Sequence, residues 1–228
     1  MFSNNSSVTE LFLQKQPWFK HLPPQMQTDL AGRTATLAGF KGDVLLHSGA
    51  KVQGWYAVLS GLVKLKSTSL EGQVSAFIGV QDGEWFGEGS VLKAEQRRYD
   101  VIALRDTKLL CLPCKQFEEL LASCLPFNHF LIRHMNWRLG QAMAIIEAGR
   151  IRAPGQRVAL YLSRVFWQDR SKLVLSQEEL AHLAGLSRQT VNRALKSMEQ
   201  QGLVSLQYGR VTILDEPGLA AYAIRPDN

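Results

Sequence analysis

The sequence predicts an α+β chain: a β-rich sandwich or barrel, then one long helix, then a small helical domain closed by a hairpin. Three observations lead there. From about Thr34 to Leu112, short β-rich runs alternate with the turn signals Lys41-Gly42-Asp43, Ser60-Gly61, Glu71-Gly72 and Asp82-Gly83. Strands at this spacing make an antiparallel sandwich or barrel. After Pro126 the apolar residues recur at helical spacing. Beyond Pro154 two short amphipathic helices flank Gly185, and two short β-rich runs follow them.

In chain order, residues 1–10 read as a loose tail, and 11–32 as short helices broken by Pro17 and by Pro23–Pro24. The strand candidates include Trp55–Leu59, Leu62–Leu65, Ser75–Val80 and Tyr99–Leu104, and Cys111 and Cys114 fall at the end of a further apolar strand. A helix from about Phe127 to Gly149 follows, roughly 35 Å long at ~1.5 Å per residue. Ile132, Met135, Leu139, Ala142, Ile146 and Gly149 form a seam at alternating spacings of three and four, the pattern of a helix that pairs with a copy of itself. The competing reading is a core helix buried against its own domain. Arg150–Pro154 reads as a hinge, and Gln156–Gln168 as a fresh amphipathic helix with Val158, Leu160, Tyr161, Leu162 and Val165 to bury. These marks divide the chain into 1–125, 126–151 and 152–228.

The bulk numbers narrow the function classes. The chain has 228 residues, 20% of them charged, a net charge of +6 and a pI near 9.3. Residues 150–228 carry 11 Lys and Arg against 7 Asp and Glu, so the basic excess sits where a polyanion partner is sought. No apolar run approaches the ~20 residues of a membrane span, and the polar start MFSNNSSVTE is no signal peptide. Three cysteines do not make a disulfide framework. A cytoplasmic protein is expected. No nucleophile elbow, P-loop or HExxH occurs, so no enzyme is expected.

The most specific signal is Ser176-Gln177-Glu178-Glu179, a capping box. Leu180, Leu183 and Ala184 follow on one face, Ala181 is small enough for a helix to cross closely, Gly185 supplies the turn and Leu186 plugs the angle. Ser187 caps a second helix that runs to about Gln200 and stops at Gly202. Val191, Ala194, Leu195 and Met198 make its buried stripe, leaving Arg188, Gln189, Asn192, Arg193 and Lys196 outside. This is a helix-turn-helix, and Leu203–Leu206 with Val211–Leu214 around Tyr208-Gly209 make it winged. Arg bonds guanine bidentately and Gln does so to adenine. The hydroxyls of Ser176, Ser187 and Thr190 suit phosphates.

The string LSQEELAHLAGLSRQTVNRALKSMEQQGLV resembles the DNA-binding domain of the CRP/FNR family of transcription regulators. The glycine-punctuated β region and the long helix resemble that family too. The resemblance implies a cyclic-nucleotide-binding-like β-roll (jelly-roll), a dimerisation helix and a winged helix-turn-helix, working as a homodimer on a pseudo-palindromic duplex. It implies base contacts by Arg188, Gln189 and Arg193, where Gln189 replaces the Glu often found there. It also implies RNA polymerase as a protein partner if the regulator activates.

For an effector, Gly83-Glu84-Trp85-Phe86-Gly87-Glu88 is similar to the family's phosphate-binding turn, with Glu88 placed for a ribose and Arg98, ten residues on, for a phosphate. Cyclic-AMP-binding members follow that Arg with a small hydroxyl residue and Ala; this chain has Tyr99 and Asp100. On the long helix, the positions that would offer hydroxyls to adenine are Ala142 and Met143. Cyclic AMP, another small-molecule effector, and a plain Glu88–Arg98 ion pair without nucleotide all stay open. So do a metal at Cys111, Cys114 and Cys124, a haem held by His47, His129 or His134, and a ligand-binding module without a DNA role.

Overall fold

The computed structural model describes residues 6–68, 74–150, 153–164, 166–167, 174–207 and 210–224. The chain falls into two compact units, one of residues up to 137 without 76–79, the other of 76–79 with 138 onward.

The first unit begins with α1 (Ser6–Gln14), a 3-10 turn at Phe19–His21 and α2 (Pro24–Arg33). The expected breaks at the prolines hold, and Pro24 sits at the first turn of α2, where its missing N–H costs nothing. The tail expected through residue 10 is helical from Ser6, because Leu13 is fully buried and anchors α1. The strands are β1 (Ala35–Gly39), β2 (Val44–Leu46), β3 (Gly54–Ser60), β4 (Leu62–Thr68), β5 (Val74–Gln81), β6 (Trp85–Phe86), β7 (Asp100–Ala103) and β8 (Thr107–Pro113), with α3 (Glu88–Leu92) between β6 and β7. They form two four-stranded sheets, ordered β1-β8-β3-β6 and β2-β7-β4-β5, the expected antiparallel roll. Then come α4 (Cys114–Ser123) and α5 (Leu125–Arg150).

Most of β3 and β8 is buried on both faces. One side of that sheet meets an aromatic core of Trp18, Trp55, Trp85, Phe117 and Phe127, to which the flanking helices contribute. Trp55 and Trp85 stack with centroids 4.1 Å apart, and Phe127 meets Trp18 and Trp55 edge-on at 5.2 and 5.8 Å. Trp85 Nε1 donates to Gln16 Oε1 at 2.9 Å, joining the N-terminal helices to this core.

The second unit holds the later part of α5, then α6 (Pro154–Leu162), α7 (Gln177–Ala184), α8 (Arg188–Gln200), β9 (Val204–Gln207), β10 (Arg210–Ile213) and α9 (Glu216–Ala223). Residues 151–152 of the expected hinge lie outside the described residues, as do Val165, Tyr208 and Gly209. Helix α6 is shorter than the expected Gln156–Gln168. Ser163 is extended and its Oγ bonds Leu160 O at 2.7 Å, and Trp167 Nε1 turns back to Tyr161 O at 2.9 Å. Gln141 of α5 is buried: its Nε2 donates to Phe166 O at 2.7 Å and its Oε1 accepts from Arg138 Nη1 at 2.8 Å. Replacing Gln141 by Leu strands Phe166 O, so a loss of roughly 1–3 kcal/mol is expected, read as a lower midpoint in urea unfolding.

Candidate functional site

Helices α7 and α8 are built as their sequence dictates. Ser176 Oγ accepts from Glu179 N at 3.2 Å while the Glu179 carboxylate accepts from Ser176 N at 2.8 Å, closing the capping box. Gly185 ends α7 at φ 64°, a left-handed conformation that favours glycine, and Leu186 N bonds Ala181 O at 3.0 Å. Ser187 Oγ accepts from Thr190 N at 3.1 Å and caps α8. Leu180, Leu183, Ala184, Val191, Ala194, Leu195 and Met198 are buried between the helices of this unit. Replacing Ser176 by Ala is expected to cost about 1 kcal/mol, seen as a lower thermal midpoint.

The opposite side of α8 carries Arg188, Gln189, Arg193 and Lys196, all exposed, and Asn192, half-buried. Asn192 Nδ2 donates to Gln177 Oε1 at 2.9 Å. Ser187 Oγ and Thr190 Oγ1 lie 2.8 Å apart at the start of the helix. All seven residues expected to touch DNA therefore gather at two adjacent helix starts and along one side of α8. Strands β9 and β10 pair antiparallel from Val204↔Ile213 to Gln207↔Arg210, and Arg210 bridges to Ser176, fixing the wing to the start of α7.

The effector turn departs from expectation. Gly87 has φ 95° and leads into α3. Glu88 faces inward: its Oε2 accepts from Trp55 Nε1 at 3.2 Å and lies 3.3 Å from His134 Nε2 of α5. Arg98, expected at the phosphate, is exposed and paired with Glu95 at 2.7 Å. The correction is one residue: Arg97 is 3% exposed, with its guanidinium 4.9 Å from the Tyr56 ring and 5.9 Å from the Tyr99 ring. Among the described residues no carboxylate pairs with it. A Cβ on Gly87 would lie 3.8 Å from Arg97 Nη1 and 3.6 Å from the Tyr99 hydroxyl, so the turn and this guanidinium are neighbours. Asp100 Oδ1 accepts from Ser48 N at 2.8 Å. Two adjacent arginines were the available signal. Which one turns inward is set by backbone: Arg97 N and O are held by Ala50 O at 3.0 Å and Gly49 N at 2.7 Å.

Met143 of α5 is exposed and Ala142 half-buried. The seam expected to pair with a second copy lies open: Ile132, Met135, Leu139 and Ile146 are 63%, 42%, 60% and 63% exposed. That excludes the reading in which these side chains pack inside their own chain. The surroundings of Gly149 lie outside the described residues.

The three cysteines are free. Burial pushes the Cys111 thiol up to about 11, with a hydrogen bond from Tyr56 working against it. His47 and His129 are exposed, whereas His134 is buried against Glu88. Among the described residues no three His, Cys, Asp or Glu side chains gather as a metal site would require, and no helix is long and apolar enough to cross a membrane.

Two family models match: a cyclic nucleotide-binding domain over residues 40–124 and a Crp-like helix-turn-helix domain over 156–222. The chain is similar to the Cyclic AMP receptor protein of Thermus thermophilus, 31% identical over 208 residues, covering 88% of this chain and 94% of the relative. It is equally similar to Transcriptional regulator SdrP of the same organism, 31% identical over 193 residues, covering 80% and 91%. Among solved structures, FixK2 from Bradyrhizobium japonicum superposes with a TM-score of 0.67 at 18% identity, covering 85% of this chain and 99% of that one. A likeness at that identity speaks for the fold.

Proposed function

Because the chain belongs to the CRP/FNR family of transcription regulators, we propose that it works as a homodimer on a pseudo-palindromic duplex, with each α8 in the major groove. The observation that carries this is the polar side of α8, presented by a fully capped and packed helix pair. Arg188 and Arg193 read guanines, Gln189 and Asn192 read neighbouring bases, and Ser176, Ser187 and Thr190 meet phosphates. Two half-sites ~34 Å apart match two such helices. Residues 1–125 then serve as the sensor, 126–151 as the dimer helix and 152–228 as the reader, with RNA polymerase as partner if the regulator activates.

Arg193→Ala is expected to weaken specific binding by roughly 1–3 kcal/mol and to relax preference at one base pair. Footprinting checks this; an unchanged protected site sinks the assignment.

For the sensor, we infer a small anionic effector at Arg97 and the Gly87 turn. A guanidinium this buried, stacked on tyrosine and without a carboxylate partner among the described residues, is suited to an anion from outside. Glu88 is not free to grip a ribose unless it releases Trp55 and His134. A cyclic nucleotide remains the second reading, favoured by the relative named Cyclic AMP receptor protein. Calorimetry with cyclic AMP on the native protein and on Arg97→Gln separates them. Micromolar binding lost in Arg97→Gln establishes the nucleotide reading, and no heat from either leaves the smaller anion.

A further inference from the structure

The hydrogen bond from Asn192 Nδ2 to Gln177 Oε1, at 2.9 Å, joins the first residue of α7 to the second turn of α8. Each of these amides carries one acceptor and two donors. Among the described residues no other side-chain bond of either is seen. With one lone pair of its oxygen engaged, Gln177 still holds both of its N–H donors. Asn192 has given one N–H away and keeps its oxygen and the other N–H.

These leftovers are different in kind, and nucleic acid supplies a different match for each. A phosphate presents acceptors alone, which suits the remaining donors of Gln177. An adenine edge in the major groove presents the N7 acceptor beside the N6 donor, which suits the remaining pair on Asn192. The Gln177 backbone is held from its N-terminal side, where Ser176 is locked by the capping box and by the bridge to Arg210. Half-burial of both side chains removes alternative rotamers that a fully exposed Asn would sample.

We propose that Gln177 is a specificity-setting residue: it binds a phosphate and, through its oxygen, holds Asn192 in the one orientation that reads adenine. This rests on the reading that α8 enters the major groove. The sequence alone marks Ser176 and Asn192 for the interface but not Gln177, because a Gln at the first position of a helix has no chemistry of its own until its partner is seen.

The test is selection of bound sequences from random duplex DNA by the full-length protein and by Asn192→Ala, Gln177→Ala, Gln177→Glu and Arg193→Ala, each first shown by thermal unfolding to be folded. The native protein is expected to enrich adenine at one position of each half-site by about tenfold. Asn192→Ala and Gln177→Ala both lose that enrichment, and the double variant discriminates no worse at that position than either alone. Gln177→Glu keeps an acceptor for Asn192 and so keeps the adenine, but it sets a carboxylate against a phosphate and binds every sequence about tenfold or more weakly. If Gln177→Ala retains the adenine at native strength, or Gln177→Glu loses it, the proposal is overturned. Arg193→Ala keeps the two questions apart: if it selects the same sites as the native protein, α8 is not the reader, and the underlying assignment fails instead.

Discussion

Replacing Leu139 by Glu is expected to turn the protein into a monomer and to lower its affinity for a two-half-site duplex by roughly 100-fold or more. Leu139 is 60% exposed, and with Ile132, Met135 and Ile146 it lines one side of α5. An apolar row of that kind gains about 25 cal/mol per Å² when it is covered. In a two-fold dimer each substitution enters twice, since the same patch meets itself. A carboxylate in that seam has no partner and carries a desolvation cost of several kcal/mol. Leu139 supports no core of its own chain, so the variant still folds, and its unfolding midpoint falls only by the stabilisation that dimerisation had added. DNA affinity falls because the second half-site is no longer held at high effective concentration. Sedimentation measures the first effect and titration of a labelled duplex the second. A Leu139→Glu protein that still sediments as a dimer removes α5 as the interface, and Ile132→Glu serves as the independent check.

That seam was legible because exposed and buried positions on a helix differ by spacing alone. The helix-turn-helix was legible for a related reason. Its size restrictions at Ala181, Gly185 and Leu186, and its caps at Ser176 and Ser187, are local, so a string of residues carries them whole. The β-roll was legible as a class, and less so strand by strand. The apolar strand that ends near Cys111 was evident, but its start at Thr107 was not, because β8 is buried on both faces for most of its length, which erases the period-2 alternation by which a strand is read. The choice between Arg97 and Arg98 was out of reach for another reason. Both are arginines, and what separates them is backbone pairing to Gly49 and Ala50, far away in the chain. Glu88 shows the same limit. Its residue type and place in the turn were evident, but its engagement by Trp55 and His134 depends on how β3 and α5 close around it.

Those long-range contacts meet at Trp55, where the largest loss of stability is expected. Trp55 is fully buried, stacks on Trp85, and meets Phe117, Phe127, Phe130 and His134 edge-on with centroids 5.5 to 6.2 Å apart. Trp55→Ala removes the ring and leaves a cavity, a change worth about 3–5 kcal/mol in cores of this kind. It also takes the indole N–H from Glu88. Trp55→Phe separates the two contributions: most of the ring packing remains, while the Glu88 carboxylate loses one donor and keeps His134 beside it. Urea unfolding followed by far-ultraviolet circular dichroism should show a large loss for the Ala variant and about 1–3 kcal/mol for the Phe variant. If the two variants lose equal stability, the hydrogen bond to Glu88 dominates and the aromatic packing contributes little. If Trp55→Phe matches the native protein, Glu88 does not depend on the indole, and the turn is held through His134.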